Sequence, residues 1–413
     1  MDFDDIVIGS GLAALGAVLG TDERQRVLVI GNPALGQFQY YDERQTVPCA
    51  YSGAGGLGND WHGVIPTGWR NNFGQAHAEG YMRLLRYFYP RADLESRLQA
   101  PWLFVPWRAI RPRAEFARLQ KARGDRLALS YESAQRISVD DRGATVTAGG
   151  VTHTAPRVWV AAGALGTPAL LEASFGRSFA RGLVSDHAFC YIGQVAGVAP
   201  PALRHTREGI LFPARYSAAG DALYTLRPAR FAFRRLDHGI EQRAVFGLPT
   251  GNAVAKIARR ASPGLLTEAF FNRFGLFAAA PLYSAYAQVV ARDGYAFGRA
   301  GRPIEARPAA LRVATDSARA GQPFEGLVAS RLPDAYIPGI HLHHSIERAD
   351  LVSAGLDTEE SPVKVVDAST LDDIGPDHHS FKMMLAAHDR VRAASANSPS
   401  TSDTPKIPSL PHG

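Results

Sequence analysis

Cysteine and methionine are scarce in this chain: two and four, respectively, among 413 residues. Cys49 and Cys190 cannot staple a chain of this length, and no Cys-x-x-Cys spacing offers a redox pair or zinc knuckle. Both are expected to be small buried apolar residues. Long charge-free apolar runs are missing too, so no membrane span is expected. The nearest stretch, Leu265 to Val290, is broken by Glu268, Arg273 and Pro281. It reads as an amphipathic helix and strand packed within the protein, so membrane contact is not expected. No basic segment leads into an apolar run near Met1, which argues against a secretory leader and for a cytoplasmic protein. Neither sign of charge dominates: 45 Lys and Arg stand against 39 Asp and Glu, and the arginines are scattered. A nucleic-acid partner is therefore not expected.

What is present begins at once. Ile6-Val7-Ile8 runs into Gly9-Ser10-Gly11-Leu12-Ala13-Ala14, the strand, glycine turn and helix start that a dinucleotide pyrophosphate requires. Gly9 permits the turn, Gly11 lets backbone approach phosphate, and Ala14 is small enough for helix to pack on strand. A second strand, Val27 to Ile30, completes a strand-helix-strand unit of a parallel sheet. Glycines then crowd Gly53 to Gly58, ahead of Asn59-Asp60-Trp61. Short alternating strands follow between Arg126 and Val160, the last re-entering the sheet and running into Gly163, with a helix beginning near Pro168. From about Asp186 to Pro338, β-branched and aromatic residues dominate, as in an antiparallel sheet with few helices. Beyond Ala393 the composition is that of a disordered tail.

Six of the 13 histidines fall between His341 and His388. Such clustering suits acid/base chemistry, in which one imidazole takes a proton from an alcohol and another orients the oxygen. His341 and His343 alternate on one strand face and could converge with His378 or His379, but carboxylates and cysteines at ligand spacing are missing, so no metal is expected. Some of these histidines are expected to be satisfied polar packing residues.

Five separated segments, in order, resemble the glucose-methanol-choline oxidoreductase family. They are Gly9 to Ala14, Gly55 to Trp61, Ala161 to Leu171 with Ser174, Ser185-Asp186-His187, and Val365 to Thr370 followed by His378 and a helix from Phe381 to Arg392. The resemblance implies FAD and oxidation of a small-molecule alcohol. It implies catalytic roles for His378 and for one of His343 and His344, with hydride passing to flavin N5. Cofactor contacts are expected from Gly9, Gly11, Ala14, Asn32, Gly56, Asn59, Asp60, Gly163, Asp367, Ala368 and His379. Asp60 stands where a flavin-linking histidine can precede the tryptophan, so noncovalent FAD is expected.

The chain is shorter than typical members of the family, which implies a reduced substrate domain, and it departs from the family at two places. Gly31-Asn32 replaces the acidic residue that normally holds the adenosine ribose, leaving Asn32 a weaker hydrogen bond. Ser345-Ile346-Glu347-Arg348 replaces a glycine-threonine and methionine-glycine signature.

The resulting expectation is an α/β protein. A discontinuous Rossmann-like FAD-binding domain, 1–186 and 340–393, holds an inserted β-rich α+β substrate domain, 187–339, and a tail spans 394–413. The electron acceptor, whether oxygen, quinone or redox protein, is not written in the sequence, nor is the oligomeric state. Two other readings stay open: a catalytically silent binding or maturation protein on the same fold, and a nicotinamide enzyme using the same glycine turn.

Overall fold

The computed structural model describes residues 2–31, 37–40, 48–59, 61, 63–67, 77–92, 102–141, 143–196, 204–228, 282–297, 304–321, 323–329 and 336–396. At its centre is a five-stranded parallel sheet in the order Val363–Val365, Arg157–Val160, Asp5–Ile8, Val27–Ile30, Leu127–Ser130. Both faces of the inner strands are covered, which is why they read as unbroken apolar runs rather than alternating ones. Asp5 is the exception. Fully buried, it takes two hydrogen bonds from Arg157, its register partner, at 2.8 and 2.9 Å, and one from Trp159 Nε1 at 2.7 Å. These bonds offset the desolvation of its charge.

The two ends of the described chain meet on one face of this sheet. The helix Leu12–Gly20 packs against the closing helix Ser380–Ala396 so closely that a Cβ on Gly16 would stand 2.0 Å from the Met384 carbonyl oxygen, and one on Gly20 2.4 Å from that of His388. Two glycines cost this helix about 1 kcal/mol each relative to alanine, and backbone-to-backbone approach explains their presence.

The expected β-rich region is a twisted antiparallel sheet in the order Arg215–Tyr216, Ala222–Pro228, Leu282–Ala296, Leu183–Ala196, Leu327–Ala329, with Glu305–Ala306 and Tyr336–Pro338 pairing alongside. The helix Pro308–Ala320 covers it through Leu311 and Ala318. Cys190 is buried in this sheet as a free thiol, pushed up to about 12 by desolvation. The Cys49 side chain lies outside the described residues.

Two expectations change, and a third is met by the part of it that is described. The helix after Arg157–Val160 begins at Gly163 and runs to Phe175, so Pro168 lies inside it rather than opening it. The closing helix continues through Ala396, so 394–396 belong to it and not to a tail. Of Leu265 to Val290, only 282–290 lie among the described residues, as strand. No described helix is long and apolar enough to cross a membrane.

Candidate active site

Sequence-distant glycines build a crevice at the carboxyl end of the parallel sheet. Gly9 has φ +122°, and a Cβ there would stand 2.1 Å from the Ala161 carbonyl oxygen, so no other residue fits. Its N–H donates to Ile30 O at 2.7 Å, while Ala161 N–H donates to Ile8 O at 2.7 Å. Gly11 is the N-cap of Leu12–Gly20, with no side-chain cap and no acid in the first turn. Among the described residues, a Cβ on Gly11 would meet only Gly55 O at 4.0 Å, and one on Gly163 nothing within 4 Å. Ala14 is buried where helix meets sheet, and Gly56 lies against Gly11. An uncapped helix N-terminus facing open space among glycines fits an anionic pyrophosphate, and the residues present fit a dinucleotide.

Several expected contact residues also shape this crevice. The Asp367 carboxyl accepts from Gly163 N at 2.8 Å, Thr167 Oγ1 at 2.5 Å and Ser369 N at 2.9 Å, and burial raises its pKa against those bonds. It holds the Gly163 loop and is spent within the protein. Asn59 donates to Ala54 O at 2.7 Å and packs on Gly55, bracing the glycine loop. Asn32 and Asp60 lie outside the described residues. Gly31 has a reason of its own: a Cβ there would stand 2.8 Å from the Ser10 Cβ, and Ser10 Oγ accepts from Gly55 N at 2.9 Å. Ser10 occupies the room an acidic side chain at 31 would need.

The histidines converge from three segments. His187 lies in the strand Leu183–Ala196, His341 and His343 follow Tyr336–Pro338, and His378 and His379 precede the closing helix. Asp186 ties the first two segments together: its Oδ1 accepts from His187 N at 2.7 Å and His341 N at 2.6 Å, and its Oδ2 from Ile340 N at 3.1 Å. His187 Nε2 donates to Gly375 O at 2.7 Å, which assigns the lone pair to Nδ1. That nitrogen lies 2.9 Å from His341 Nδ1 and 3.1 Å from Gln288 Nε2. His343 Nδ1 donates to His341 O at 3.0 Å, leaving Nε2 buried with no hydrogen-bond partner among the described residues. His379 Nδ1 is likewise buried and unpartnered. Burial holds His343 down at about 4, and burial followed by the neighbouring imidazoles holds His187 and His379 well below the ordinary range. All three are therefore neutral at pH 7.

Of the expected pair His343 and His344, only the first enters this cluster. His344 turns away at φ +55°, its N–H on Ala368 O at 2.9 Å and its Nε2 3.3 Å from Glu347. His378 packs between Phe189 and His341, with ring centroids 5.9 and 6.2 Å away. A buried ion pair between Asp377 and Lys382 pins the loop before the closing helix, and Tyr216 Oη donates to Asp377 at 2.8 Å from the β-rich sheet. The segment that departs from the family signature has structural partners: Ser345 Oγ donates to Ala164 O, Glu347 pairs with Arg181, and Arg348 with Asp357.

His187, Asp186 and Gln288 join the histidine cluster without being among the expected site residues. Ser185-Asp186-His187 gave a signal for the first two; a glutamine within an apolar strand gave none.

A buried parallel sheet with a glycine crevice at its carboxyl edge, joined to an antiparallel sheet, defines an α/β protein of the dinucleotide-binding architecture. No protein-family model matches the chain, and no curated protein matches it in sequence. Among solved structures it is similar to pyridoxine 4-oxidase from Mesorbium loti, over 96% of this chain and 99% of that one, at 12% identity and a TM-score of 0.54. A formate oxidase variant from Aspergillus oryzae RIB40 aligns over 95% of this chain and 98% of its own at 12% identity, with a TM-score of 0.48. A fungal aryl-alcohol oxidase does so with the same coverage and identity at 0.49. The fold is that of the pyridoxine oxidase, as the family resemblance implies.

Proposed function

We propose that the chain is a divergent glucose-methanol-choline oxidoreductase that binds FAD noncovalently and oxidises the CH–OH group of a small organic alcohol. One observation carries this reading: Asp367 to Ser369 hold the Gly163 loop of the open glycine crevice through the Asp367 carboxyl and, through the Ala368 and Ser369 carbonyls, the His344-Ser345 backbone directly after the buried His343. The pyridoxine 4-oxidase likeness supports it.

The backbone at Gly9, Gly11, Gly56 and Gly163 would hold the dinucleotide, with the Leu12 helix start facing its phosphates. FAD, when bound, supplies the acceptor for the hydride that leaves the carbinol carbon. His343 Nε2, the buried acceptor with its other nitrogen already committed, takes the hydroxyl proton, and His378 orients the oxygen. Residues 1–186 and 340–393 serve the cofactor, and 187–339 the substrate.

Purified protein should carry flavin absorbance, retained or gained on incubation with FAD, and should bleach anaerobically with one class in a panel of pyridine, aryl, sugar and aliphatic alcohols. The Ser10–Gly31 contact favours one rival, a silent binding protein that holds the cofactor poorly. Colourless protein that takes up no FAD would establish that rival and overturn the enzyme reading.

A further inference from the structure

We propose that His187, His341 and His379 form a binding site for a borderline transition-metal ion, of which zinc is the type, with one coordination position left open. One ring nitrogen from each lies within 4.8 Å of the others. The rings stand nearly perpendicular to one another, at 90°, 77° and 84°, with centroids 5.1, 5.4 and 4.5 Å apart. Three nitrogens this close are within reach of a single ion after small side-chain shifts.

Three further features are those of a built site. A ligating histidine ordinarily donates its second ring N–H to a carbonyl or carboxylate, fixing the tautomer, and His187 does this to Gly375 O at 2.7 Å. His379 Nδ1 is buried with no partner among the described residues, an orphaned donor atom that costs free energy unless something fills its place. Asp186 holds the backbones of both His187 and His341 on a single carboxyl oxygen, so two ligands share one anchor and a negative charge lies close behind them.

The donor set chooses the ion. Imidazoles without carboxylates select zinc, copper, nickel, cobalt or ferrous iron over calcium and magnesium. Zinc–nitrogen bonds of about 2.0–2.1 Å put tetrahedral nitrogens about 3.3 Å apart, so the 2.9 Å His187–His341 pair opens by a few tenths of an ångström as the third ligand closes. The proton between those two nitrogens moves to the outer nitrogen of His341. His343 Nε2 and His378 stay outside the set. The site does not depend on the dinucleotide reading.

Full-length protein, stripped with chelator and dialysed against zinc at about ten times a micromolar dissociation constant, should retain the ion stoichiometrically by mass spectrometry and melt at a higher temperature. His341→Ala and His379→Ala should weaken retention at least ~10–100-fold. His344→Ala, outside the cluster, and His153→Ala, on the strand Val151–Ala155 of a separate three-stranded antiparallel sheet, should bind as wild type does. His379→Asn, nearly isosteric, makes the same comparison if the alanine variant does not fold, with circular dichroism as the check. Wild-type protein that retains no zinc, or variants that retain it equally, would overturn the site. Flavin content is read separately, so this result and the test of the dinucleotide reading can fail independently.

Discussion

Ser345 Oγ donates at 2.5 Å to the carbonyl of Ala164, the acceptor that Pro168 leaves without its intrahelical N–H donor. A proline in mid-helix is therefore satisfied by a serine from the histidine segment. Ser345→Ala should destabilise the protein by about 1–3 kcal/mol in denaturant unfolding. In a Pro168→Ala background, which restores the amide, the same change should cost clearly less. Equal costs in the two backgrounds would show that the bond carries no coupling.

Gly16 and Gly20 should not tolerate a side chain. Gly16→Ala, despite alanine's better helix propensity, is expected to lose about 1–3 kcal/mol because its methyl would collide with the Met384 carbonyl. Gly16→Val should expose the closing helix to proteolysis. A stabilised Gly16→Ala variant would show that the two helices do not pack this way.

The histidine assignments separate by turnover. His378→Ala and His343→Gln should slow flavin reduction by ~100-fold or more while flavin stays bound. His344→Ala should reduce at nearly the wild-type rate, since its ring faces Glu347. The reverse pattern would move the base to His344.

Gly31→Glu alone should fail to improve FAD affinity, because Ser10 fills the space. Combined with Ser10→Gly, the acid would gain room to reach a ribose hydroxyl, and affinity should rise by about tenfold or more, as one charge-assisted hydrogen bond allows. Equilibrium flavin titration distinguishes the two variants.

Asp389 joins the closing helix to the helix Ala78–Phe88 by accepting from His388 Nδ1 and His77 Nδ1, both at 2.7 Å. Burial pushes its pKa up, but bonds from His388 and His77 outweigh that, and the net shift is downward. A depressed carboxyl stabilises above its unfolded value and loses that contribution as pH falls through the folded one. Acid melting below about pH 4 should therefore begin with protection loss in these helices. Asp389→Asn should remove that part of the pH dependence, as hydrogen exchange would register.

The opening strand, glycine turn and second strand were legible because a buried parallel strand is an uninterrupted apolar run and a glycine turn has few alternatives. His343 and His379 were legible only as members of a crowd. Which of two adjacent histidines faces inward depends on Ile340 at φ +61° and His344 at φ +55°, conformations that local sequence does not announce. His187 pairs with a residue 154 positions away, and no local periodicity records such a distance. Gly16 and Gly20 did leave a signal, since two glycines four apart within a helix mark one close-packed stripe.

Because Gly16 is seated on Met384, the first helix has no finished surface to rest on until residues 380–396 have left the ribosome. The edge strand Val363–Val365 arrives just as late. A nascent chain thus waits through most of its own translation with an apolar helix face exposed, a stage at which chaperone demand should be greatest.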